Sequence, residues 1–448
     1  MGNRINRREF IKKSTAGASG LALSSLSAVS YSRVMGANDR ISIGIVGCSA
    51  RGRGALMPDV FALEKELDVE LSAVCDIWKV NLERGIKLTQ ERTGRKPKAF
   101  DNIDELLNQK DINAIIISTG DFQHAPLLTK TVNAGKDCYC EKPMAISVKN
   151  AKEAVAAVKR TGKIVQIGTG GLSSPSLWGL KKFIVEGRLG KISKVEQTQS
   201  YWGPRWRGRG DVKLIKQSDT DWKEWLLDKP YRQFNPELYF EFRVYKDFST
   251  GIAGQWMSHR VAAVALAMGE TFPYSVISDG GNFVWKDGRE IPDTFIANVI
   301  YQAGWMYTYS CSFGTDYPGY ARYYGLNGTI ESSGEGYLVT GEGGGTEDTP
   351  ENRKREERTK PSGTGTLVNP NRIKGEFTIK PEGGTPGSHP HMRNWIDCIR
   401  SRKTPNADVV TGYCHSVVCI MAHQSGYLGK RLYWDAKKEE IVENPPRT

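Results

Sequence analysis

Short apolar runs alternate with longer helix-like stretches after residue 40, and this alternation constrains the fold more than any other feature. The apolar runs are Ile41–Gly47, Val69–Cys75, Asn113–Ser118, Asp137–Cys140 and Lys163–Ile167. The helix-like stretches between them include Lys79–Arg92, His124–Ala134 and Val148–Thr161. Strands that alternate with helices form a parallel sheet with helices packed on its faces. The pattern therefore predicts a doubly wound α/β domain over residues 38–165.

The second part of the chain has a different pattern. Lys194–Trp202, Thr294–Gln302 and Trp305–Phe313 alternate in polarity or are rich in aromatic residues, which is typical of a half-buried antiparallel sheet. We predict a C-terminal α+β domain over residues 166–436, built on a large, mainly antiparallel open sheet. Within it, residues 334–386 have the composition of long surface loops, residues 387–429 contain two closing helices, and residues 437–448 form a tail.

The formal net charge of +12 is partly local. Six basic residues and one acidic residue fall within residues 1–37, and the remaining excess is spread along the chain without a long basic block. Nucleic-acid binding normally requires a clustered basic stripe or a recognisable module. We therefore expect no nucleic-acid partner.

The N-terminal basic residues have a pattern of their own. Asn6-Arg7-Arg8-Glu9-Phe10 resembles the twin-arginine export signal, and the stretch from Thr15 to Ser30 is rich in Gly, Ala and Ser. This stretch is too short and too polar for a stable membrane span. An ordinary basic tail is the alternative. The resemblance predicts a signal and linker over residues 1–37, the twin-arginine export machinery as a partner, and an exported, periplasmic protein without a membrane span after maturation.

The cysteines do not indicate a metal site. Four of the eight lie in or beside apolar strand-like runs, where small buried thiols are common. The sequence contains neither Cys-x-x-Cys nor His-Glu-x-x-His, so it predicts no bound metal.

A glycine-containing turn follows the first predicted strand. It consists of Gly47-Cys48-Ser49-Ala50-Arg51-Gly52 and precedes a predicted helix. Backbone N–H groups at such a helix N-terminus bind the pyrophosphate of a dinucleotide. Ser49 replaces the middle glycine of the usual motif, so the turn is an imperfect match. The predicted cofactor-binding residues here are Gly47, Ser49, Ala50, Arg51 and Gly52.

Asp76 ends the second predicted strand, about twenty-four residues after Gly52. A carboxylate at this point can accept a hydrogen bond from a ribose 2′-OH and repels a 2′-phosphate. It therefore favours NAD over NADP. The alternative is a strand-end aspartate that only caps the next turn.

Several motifs together resemble the Gfo/Idh/MocA family of oxidoreductases. Glu141-Lys142-Pro143 follows a predicted strand, and Thr119-Gly120-Asp121 with His124 follows the preceding one. The runs Glu186–Ile192, Asp221–Leu226, Ile291–Thr294 and Met392–Arg400 match as well, so the resemblance extends over most of residues 40–436. It implies a Rossmann domain, an NAD cofactor and a carbohydrate or polyol substrate.

The resemblance also assigns site residues. It places Thr119, Gly120, His124, Glu141 and Lys142 beside the cofactor, with a cis peptide bond before Pro143. It gives Lys142 contact with both the substrate hydroxyl and the nicotinamide ribose. A partly desolvated lysine near a cationic ring has a lowered pKa and can exchange a proton with the reacting oxygen. The alternative is a surface lysine on a turn.

His259 is the second catalytic candidate, because Gly251–His259 resembles the stretch that leads to the family's catalytic histidine. Imidazole titrates near neutral pH and can accept the alcohol proton. Many relatives carry an acidic residue four positions earlier, where this chain has Gln255. Gln255 can orient a hydroxyl but cannot stabilise an imidazolium by charge. A structural histidine is the alternative.

Aromatic and arginine-rich segments provide candidate substrate contacts. Trp206, Arg243 and Tyr245, together with Gln255 and His259, are predicted to bind a sugar through stacking and hydrogen bonds. Segments of this composition are also common at subunit interfaces. We expect a homo-oligomer, a dimer or a tetramer.

These residues predict an NAD-dependent oxidoreductase that acts on a secondary hydroxyl or keto group of a sugar, sugar derivative or inositol. An exported enzyme meets no ready pool of NAD, so we expect a tightly bound cofactor. The alternative is an NAD-dependent glycosidase that works by transient oxidation and elimination. By resemblance those glycosidases lack Glu-Lys-Pro, which favours the oxidoreductase. A sugar-binding protein with a vestigial site is a third, non-enzymatic possibility.

Overall fold

The structure, a computed structural model, describes residues 40–208, 210–269, 271–334, 336–359 and 367–446. Arg7, Arg8 and the rest of the predicted export signal lie outside the described residues. In the described part of the chain, no helix is long and apolar enough to cross a membrane.

The first domain contains a six-stranded sheet in which all neighbouring strands are parallel. Its strands are β1 (Ile41–Val46), β2 (Val69–Cys75), β3 (Lys98–Phe100), β4 (Ala114–Ile117), β5 (Asp137–Cys140) and β6 (Val165–Ile167). Their order is β3-β2-β1-β4-β5-β6, which is that of a dinucleotide-binding Rossmann sheet. The strand order reverses between β1 and β4, and ligands of such sheets bind there, beyond the carboxyl ends of the strands.

Five helices connect these strands. They are α1 (Met57–Leu63), α2 (Lys79–Thr93), α3 (Ile103–Leu107), α4 (His124–Asn133) and α5 (Val148–Thr161). Helix α5 shows how local sequence sets the ends: the Ser147 side chain accepts from the Asn150 N–H, and Gly162 ends the helix in a left-handed conformation. Its small buried side chains, such as Ala151 and Ala154, allow it to pack closely.

The second domain contains an eleven-stranded sheet in which β7 and β10 pair in parallel and the other described pairs are antiparallel. Its strands are β7 (Ile192–Trp202), β8 (Pro273–Gly281), β9 (Thr294–Tyr301), β10 (Trp305–Ser312), β11 (Gly314–Thr315), β12 (Ala321–Gly325), β13 (Gly328–Ser333) and β14 (Gly336–Thr340), with β17 (Glu376–Thr378), β18 (Leu432–Asp435) and β19 (Glu440–Val442). A separate pair is formed by β15 (Thr346–Glu347) and β16 (Val368–Asn369). The fold class predicted from the sequence is confirmed.

Alternation explains which face of this sheet is buried. In β9 the side chains of Phe295, Ala297 and Val299 are buried, and the residues between them are not. Buried side chains alternate with less buried ones in β10 as well. Its first residue, Trp305, stacks on Tyr301 of β9 with ring centroids 4.2 Å apart. One face of the sheet therefore packs against helices and forms the inner face of the domain.

Seven further helices complete the described fold. They are α6 (Pro175–Val185), α7 (Trp222–Leu226), α8 (Pro236–Glu241), α9 (Ser258–Met268), α10 (Pro350–Thr359), α11 (Pro390–Ser401) and α12 (Val409–Leu428). Helix α12 is buried along most of its length and packs against β8, α5 and α9. It therefore joins the two sheets into one core.

Residues 334–386 contain more regular structure than their composition predicts. Strands β14 and β17 belong to the large sheet, and α10 lies between them in the chain. In these strands the buried Val339 pairs with Phe377 across the antiparallel ladder. Tertiary pairing thus overrides the local preference for loops that the composition indicates.

Candidate active site

A cleft of about 1140 Å³ lies between the carboxyl ends of the first sheet and the inner face of the second. Pockets for a single small ligand are usually about 300–1,000 Å³. This cleft is large enough for a dinucleotide and a second ligand. Residues that follow β1, β2, β4 and β5 line one wall, and residues of α9 and β7 line another.

The turn after β1 requires its two end glycines. Gly47 has a φ of +95°, and a Cβ there would lie 2.5 Å from the Ser118 carbonyl oxygen. A Cβ on Gly52 would lie 2.3 Å from the Gly47 carbonyl oxygen. A π-helical turn from Gly52 to Leu56 follows and continues into α1. The tight turn brings Gly47 and residues 49–51 to the cleft.

Four of the five predicted turn residues line the cleft: Gly47, Ser49, Ala50 and Arg51. Gly52 does not line the cleft, and its predicted contact with the cofactor stays a prediction. Its role is to let the first helical turn pack against the carbonyl of Gly47, where any larger residue would collide with the backbone.

Asp76 lines the cleft and also fastens the turn to the end of β2. Its carboxylate accepts from the Cys48 N–H at 2.7 Å and from the Trp78 N–H at 2.9 Å. Burial raises the pKa of Asp76 to about 6, although both backbone donors oppose the shift. Each carboxylate oxygen has a second lone pair. Asp76 can therefore accept from a ligand hydroxyl as well.

Two buried polar atoms beside the turn have no protein partner among the described residues: Thr119 Oγ1 and His124 Nε2. The other ring nitrogen, His124 Nδ1, lies 2.8 Å from the Pro143 carbonyl oxygen. Because a carbonyl only accepts, Nδ1 carries the proton and Nε2 is an acceptor. Burial lowers the pKa of His124, which keeps the ring neutral. With Gly120, these residues line the cleft, and their unused hydrogen-bonding atoms fit a dinucleotide.

Glu141 ties the glycine turn to the end of β5. Arg51 Nε donates to Glu141 Oε1 at 2.7 Å, and the Lys142 N–H donates to Oε2 at 3.2 Å. A side chain on Gly168 would reach 2.9 Å from the Glu141 carboxyl carbon, so the absence of a Cβ there makes room for this carboxylate. The Lys142–Pro143 peptide bond is cis, as the sequence resemblance implies.

The Lys142 side chain lies in the cleft at the carboxyl end of the first sheet. Its Nζ donates to the Gln255 carbonyl oxygen at 2.7 Å and lies 3.4 Å from Gln255 Oε1. Burial lowers the pKa of Lys142 to about 8, and the charges of Glu141 and Asp121 oppose that shift. A substantial neutral fraction is therefore present just above neutral pH.

Gln255 connects Lys142 to a buried carboxylate that the sequence analysis did not identify as functional. Gln255 Nε2 lies 2.6 Å from both carboxylate oxygens of Asp121, and Ser249 Oγ donates to Oδ2 at 2.6 Å. Gln255 Oε1 accepts from Arg243 Nε at 3.0 Å. The negative charge that the family resemblance leads one to expect at position 255 is thus supplied here from position 121. The acidic residue in Thr119-Gly120-Asp121 was the available signal.

His259 lies at the start of α9, directly after a π-helical turn from Ala253 to Met257. Its ring is exposed to the cleft. The surrounding protein atoms nevertheless remove much of the water around the ring. This desolvation lowers the pKa of His259 well below its usual value, and the charge of Lys142 lowers it further. No hydrogen bond to His259 is found among the described residues. The imidazole is therefore neutral near pH 7 and open to a ligand.

The predicted substrate residues divide into two groups. Trp206 and Arg243 line the cleft with Gln255 and His259. Tyr245 does not line it: this side chain packs against the core, beside the guanidinium of Arg207 at 5.8 Å. Tyr245 is half-buried and also packs against a second cluster of aromatic side chains, so its contact with the substrate stays a prediction.

Comparison with known proteins agrees with this geometry. Residues 41–169 match a family model described as GFO_IDH_MocA, an oxidoreductase family with an NAD-binding Rossmann fold. A glycosyl hydrolase family 109 protein of Shewanella pealeana is 30% identical over 179 residues, covering 36% of this chain and 38% of the relative. Inositol 2-dehydrogenase of Salmonella typhimurium is 26% identical over 167 residues, covering 37% and 48%. The chain thus matches less than half the length of these relatives.

Solved structures resemble the chain over most of its length. WlbA dehydrogenase from Bordetella pertussis, in complex with NADH and UDP-GlcNAcA, has a TM-score of 0.61 at 20% identity, covering 88% of this chain and 99% of that one. Aldose-aldose oxidoreductase from Caulobacter crescentus, complexed with glycerol, has a TM-score of 0.61 at 15% identity over the same shares. At these identities the likeness concerns the fold. Residues 41–169 accordingly match the NAD-binding Rossmann domain of the Gfo/Idh/MocA oxidoreductase family, which supports NAD as the cofactor predicted from the sequence.

Proposed function

We propose that this protein is an NAD-dependent oxidoreductase acting on a secondary hydroxyl or keto group of a sugar, sugar derivative or inositol. One observation carries the proposal. The Lys142 amine, with its pKa lowered to about 8, lies in the same cleft as the glycine turn and at the carboxyl end of the first sheet. A proton-transfer group poised near the working pH is what oxidation of an alcohol requires.

The proposed reaction requires two transfers at this site, one of a hydride and one of a proton. NAD, when bound, supplies the hydride acceptor for the carbon that bears the hydroxyl. Lys142 or His259 takes the hydroxyl proton as the C–O bond becomes a carbonyl, and returns it in the reverse direction. Gln255 holds Lys142 in place through its main-chain oxygen. Arg243, which also bonds to Gln255, is positioned to donate to a substrate hydroxyl.

The substrate class is supported by the relatives and by the chemistry of the cleft. One relative is named an inositol 2-dehydrogenase, and one fold neighbour was solved with a nucleotide sugar. Polar side chains and the Trp206 ring line the same cleft as Lys142. Aromatic faces and hydrogen-bond donors of this kind bind polyols. NAD is preferred over NADP in this proposal because Asp76 would repel a 2′-phosphate.

We also propose export through the twin-arginine route to the periplasm, with the cofactor retained in the fold, and assembly into a homo-oligomer. The twin arginines at Arg7 and Arg8 support the route. Retention would make turnover redox-neutral, since a second carbonyl compound must reoxidise the cofactor before the next cycle. We propose no nucleic-acid partner, because the basic residues are not clustered in a long block.

Two measurements test the proposed activity. Mass spectrometry of the material released by unfolding the purified protein should identify NAD at close to one equivalent per chain. Addition of sugars and inositols to the NAD-loaded protein should raise absorbance at 340 nm for at least one compound, and in Lys142→Ala the rate of this rise should be lower by roughly a hundredfold or more. Absence of NAD, or a response that is unchanged in Lys142→Ala, would exclude this function.

A glycosidase is the second candidate, because family 109 glycosyl hydrolases are among the relatives. In that reaction a transient oxidation acidifies a neighbouring C–H bond, the aglycone leaves by elimination, and water adds before the reduction step. No net NADH accumulates. Release of nitrophenol from nitrophenyl glycosides by protein with stoichiometric bound NAD, without a lasting absorbance change at 340 nm, would favour this candidate over the oxidoreductase.

A further inference from the structure

The cleft continues beyond His259 into a recess between the inner face of the large sheet and helices α6 and α9. We call this space the polar recess and define it by five lining residues: Gln197, Gln199, Arg260, Ser332 and Tyr337. The first two lie on β7, Ser332 on β13 and Tyr337 on β14. Arg260 follows His259 directly on α9, so the recess begins next to the proposed reaction centre.

The lining is unusual for its position in the fold. The inner face of a sheet covered by helices is normally filled with large apolar side chains. Val195, Ile330 and Val339 follow that rule on β7, β13 and β14. Further along the same faces, the chain instead places Gln199, Ser332 and other polar or small residues. These polar or small side chains leave a cavity lined by hydrogen-bonding groups at a place where the apolar core would otherwise continue.

The glutamines of the recess are held in place by buried tyrosines. Tyr307 donates its hydroxyl to Gln197 Oε1 at 2.9 Å, and the Tyr309 hydroxyl lies 3.4 Å from Gln199 Oε1. Both tyrosine rings are buried in the core of the sheet. A buried amide fixed by its carbonyl oxygen keeps its two N–H groups for another partner. The recess therefore offers donors in a defined arrangement.

Arg260 brings a positive charge to this recess. Its side chain is open to the cleft, and Nε makes a long contact of 3.5 Å with Gln199 Oε1. Across the described ranges, no carboxylate lies within ion-pair distance of Arg260. A guanidinium carries five N–H donors in a planar fork, and only one of them has this protein contact. Arginine in such a setting matches a carboxylate or a phosphate, which it binds through two parallel hydrogen bonds.

We propose that the polar recess binds an anionic group of the substrate, a carboxylate or a phosphate, through Arg260 and the amides of Gln197 and Gln199. The proposal rests on the proposed function, because the reacting hydroxyl of the same molecule would lie at Lys142 and His259. It narrows the proposed substrate class to those sugars, sugar derivatives or inositols that carry an acidic group. Ser332 and Tyr337 supply further hydrogen bonds to the same group or to the adjacent hydroxyls.

The test compares three probes on the NAD-loaded, full-length protein: glucose, glucuronate and glucose 6-phosphate. Isothermal titration should show one of the two acids binding at least tenfold more tightly than glucose. Preference for glucuronate identifies a carboxylate site, and preference for glucose 6-phosphate identifies a phosphate site. Arg260→Gln should weaken the preferred acid by roughly tenfold to a hundredfold and leave glucose unchanged, as expected for loss of a charge-assisted hydrogen bond.

Arg92→Gln is the matched control, because Arg92 is an exposed arginine on α2 that does not line the cleft. It should bind all three probes as the wild type does. Equal binding of glucose and both acids by the wild type would overturn the proposal, as would an acid preference that survives Arg260→Gln.

The binding assay separates this inference from the proposed function, since it requires no hydride transfer. Arg260-dependent binding of an acid, without any absorbance change at 340 nm for any compound, would support the recess and contradict the oxidoreductase. Oxidation of neutral sugars by a protein that binds acids no better than glucose would support the oxidoreductase and contradict the recess. The two failures are therefore distinguishable in one set of experiments.

Discussion

Gln255 donates its side-chain amide to the carboxylate of Asp121, with Nε2 at 2.6 Å from each oxygen. The same side chain accepts from Arg243 through Oε1, and its main-chain oxygen accepts from the Lys142 amine. One neutral residue thus links a buried anion to two cations of the cleft. The arrangement explains how a chain with glutamine at this position still has a negative charge beside its proposed proton-transfer groups.

Asp121→Asn removes that charge while preserving the shape of the side chain. The charge of Asp121 raises the pKa of Lys142 against the dominant effect of burial. Without it, the pKa of Lys142 should fall below about 8, and the rise of kcat/KM with pH during alcohol oxidation should move to lower pH. Ser249→Ala is the control, because it removes one hydrogen bond to Asp121 and leaves the charge. An equal shift in both variants would mean that geometry, not charge, is responsible.

Lys142→Ala should reduce hydride transfer by roughly a hundredfold or more, the usual scale for a positioned proton-transfer group. NAD binding, measured by fluorescence titration, should be nearly unchanged. In the wild type, kcat/KM for oxidation should rise with pH up to about 8, because only the neutral amine accepts a proton and its pKa is lowered to about 8. This rise should be absent from the residual activity of Lys142→Ala. Persistence of the rise would assign it to another group.

His259→Ala should cause a loss of activity comparable to that of Lys142→Ala. The pKa of His259 is lowered well below its usual value, so the ring is neutral and able to accept a proton over the neutral range. The variant should therefore lose the decline of the oxidation rate on the acid side, where the wild-type imidazole becomes protonated. A stopped-flow pH profile measures this. Near-normal turnover with an unaltered profile would make His259 structural.

Gln255→Asp provides the companion test for His259. A carboxylate at position 255 would stabilise a protonated imidazole, raise the pKa of His259 and move the acid-side decline to higher pH. In this structure, however, the introduced carboxylate would face Asp121 at close range, and two like charges there repel. The double variant Gln255→Asp with Asp121→Asn should therefore be more stable to heat than Gln255→Asp alone. Thermal unfolding of both proteins checks this.

Asp76→Ala should narrow the preference for NAD over NADP, because it removes both the acceptor for the 2′-OH and the charge that repels a 2′-phosphate. It should also lower thermal stability, since the Cys48 and Trp78 N–H groups lose their acceptor. Titration with both cofactors is the measurement. Tighter binding of NADP by the wild type would contradict this role.

Replacement of Arg7 and Arg8 by Lys should leave the protein in the cytoplasm, because the proposed route reads the arginine pair. Fractionation of cells that express the wild type and the double variant, with detection by immunoblot, measures the distribution. A variant found in the periplasm at the wild-type level would indicate a different route. The purified variant should still bind NAD, since these residues precede the Rossmann domain.

Some features of this protein follow from short stretches of sequence. The alternation of apolar runs and helix-like stretches was sufficient for the parallel sheet, because period and polarity are set within a few residues. The glycine turn after β1 and the Glu141-Lys142 pair after β5 were also identifiable, since parallel strands bring their carboxyl ends to one edge. Gly52 lies in this turn but does not line the cleft, because which turn residues face the cleft depends on how α1 packs.

Other features exist only in the folded chain. Asp121 and Gln255 are 134 residues apart, and no local pattern pairs them; their contact depends on the packing of the turn before α9 against the end of β4. Tyr245 was expected in the cleft but does not line it, and its half-buried ring packs against clusters of buried side chains instead. The polar recess likewise requires β7, β13, β14 and α9 to converge. Sequence determined which elements form, and long-range packing decided which side chains meet, since a side chain's partners depend on every element around it.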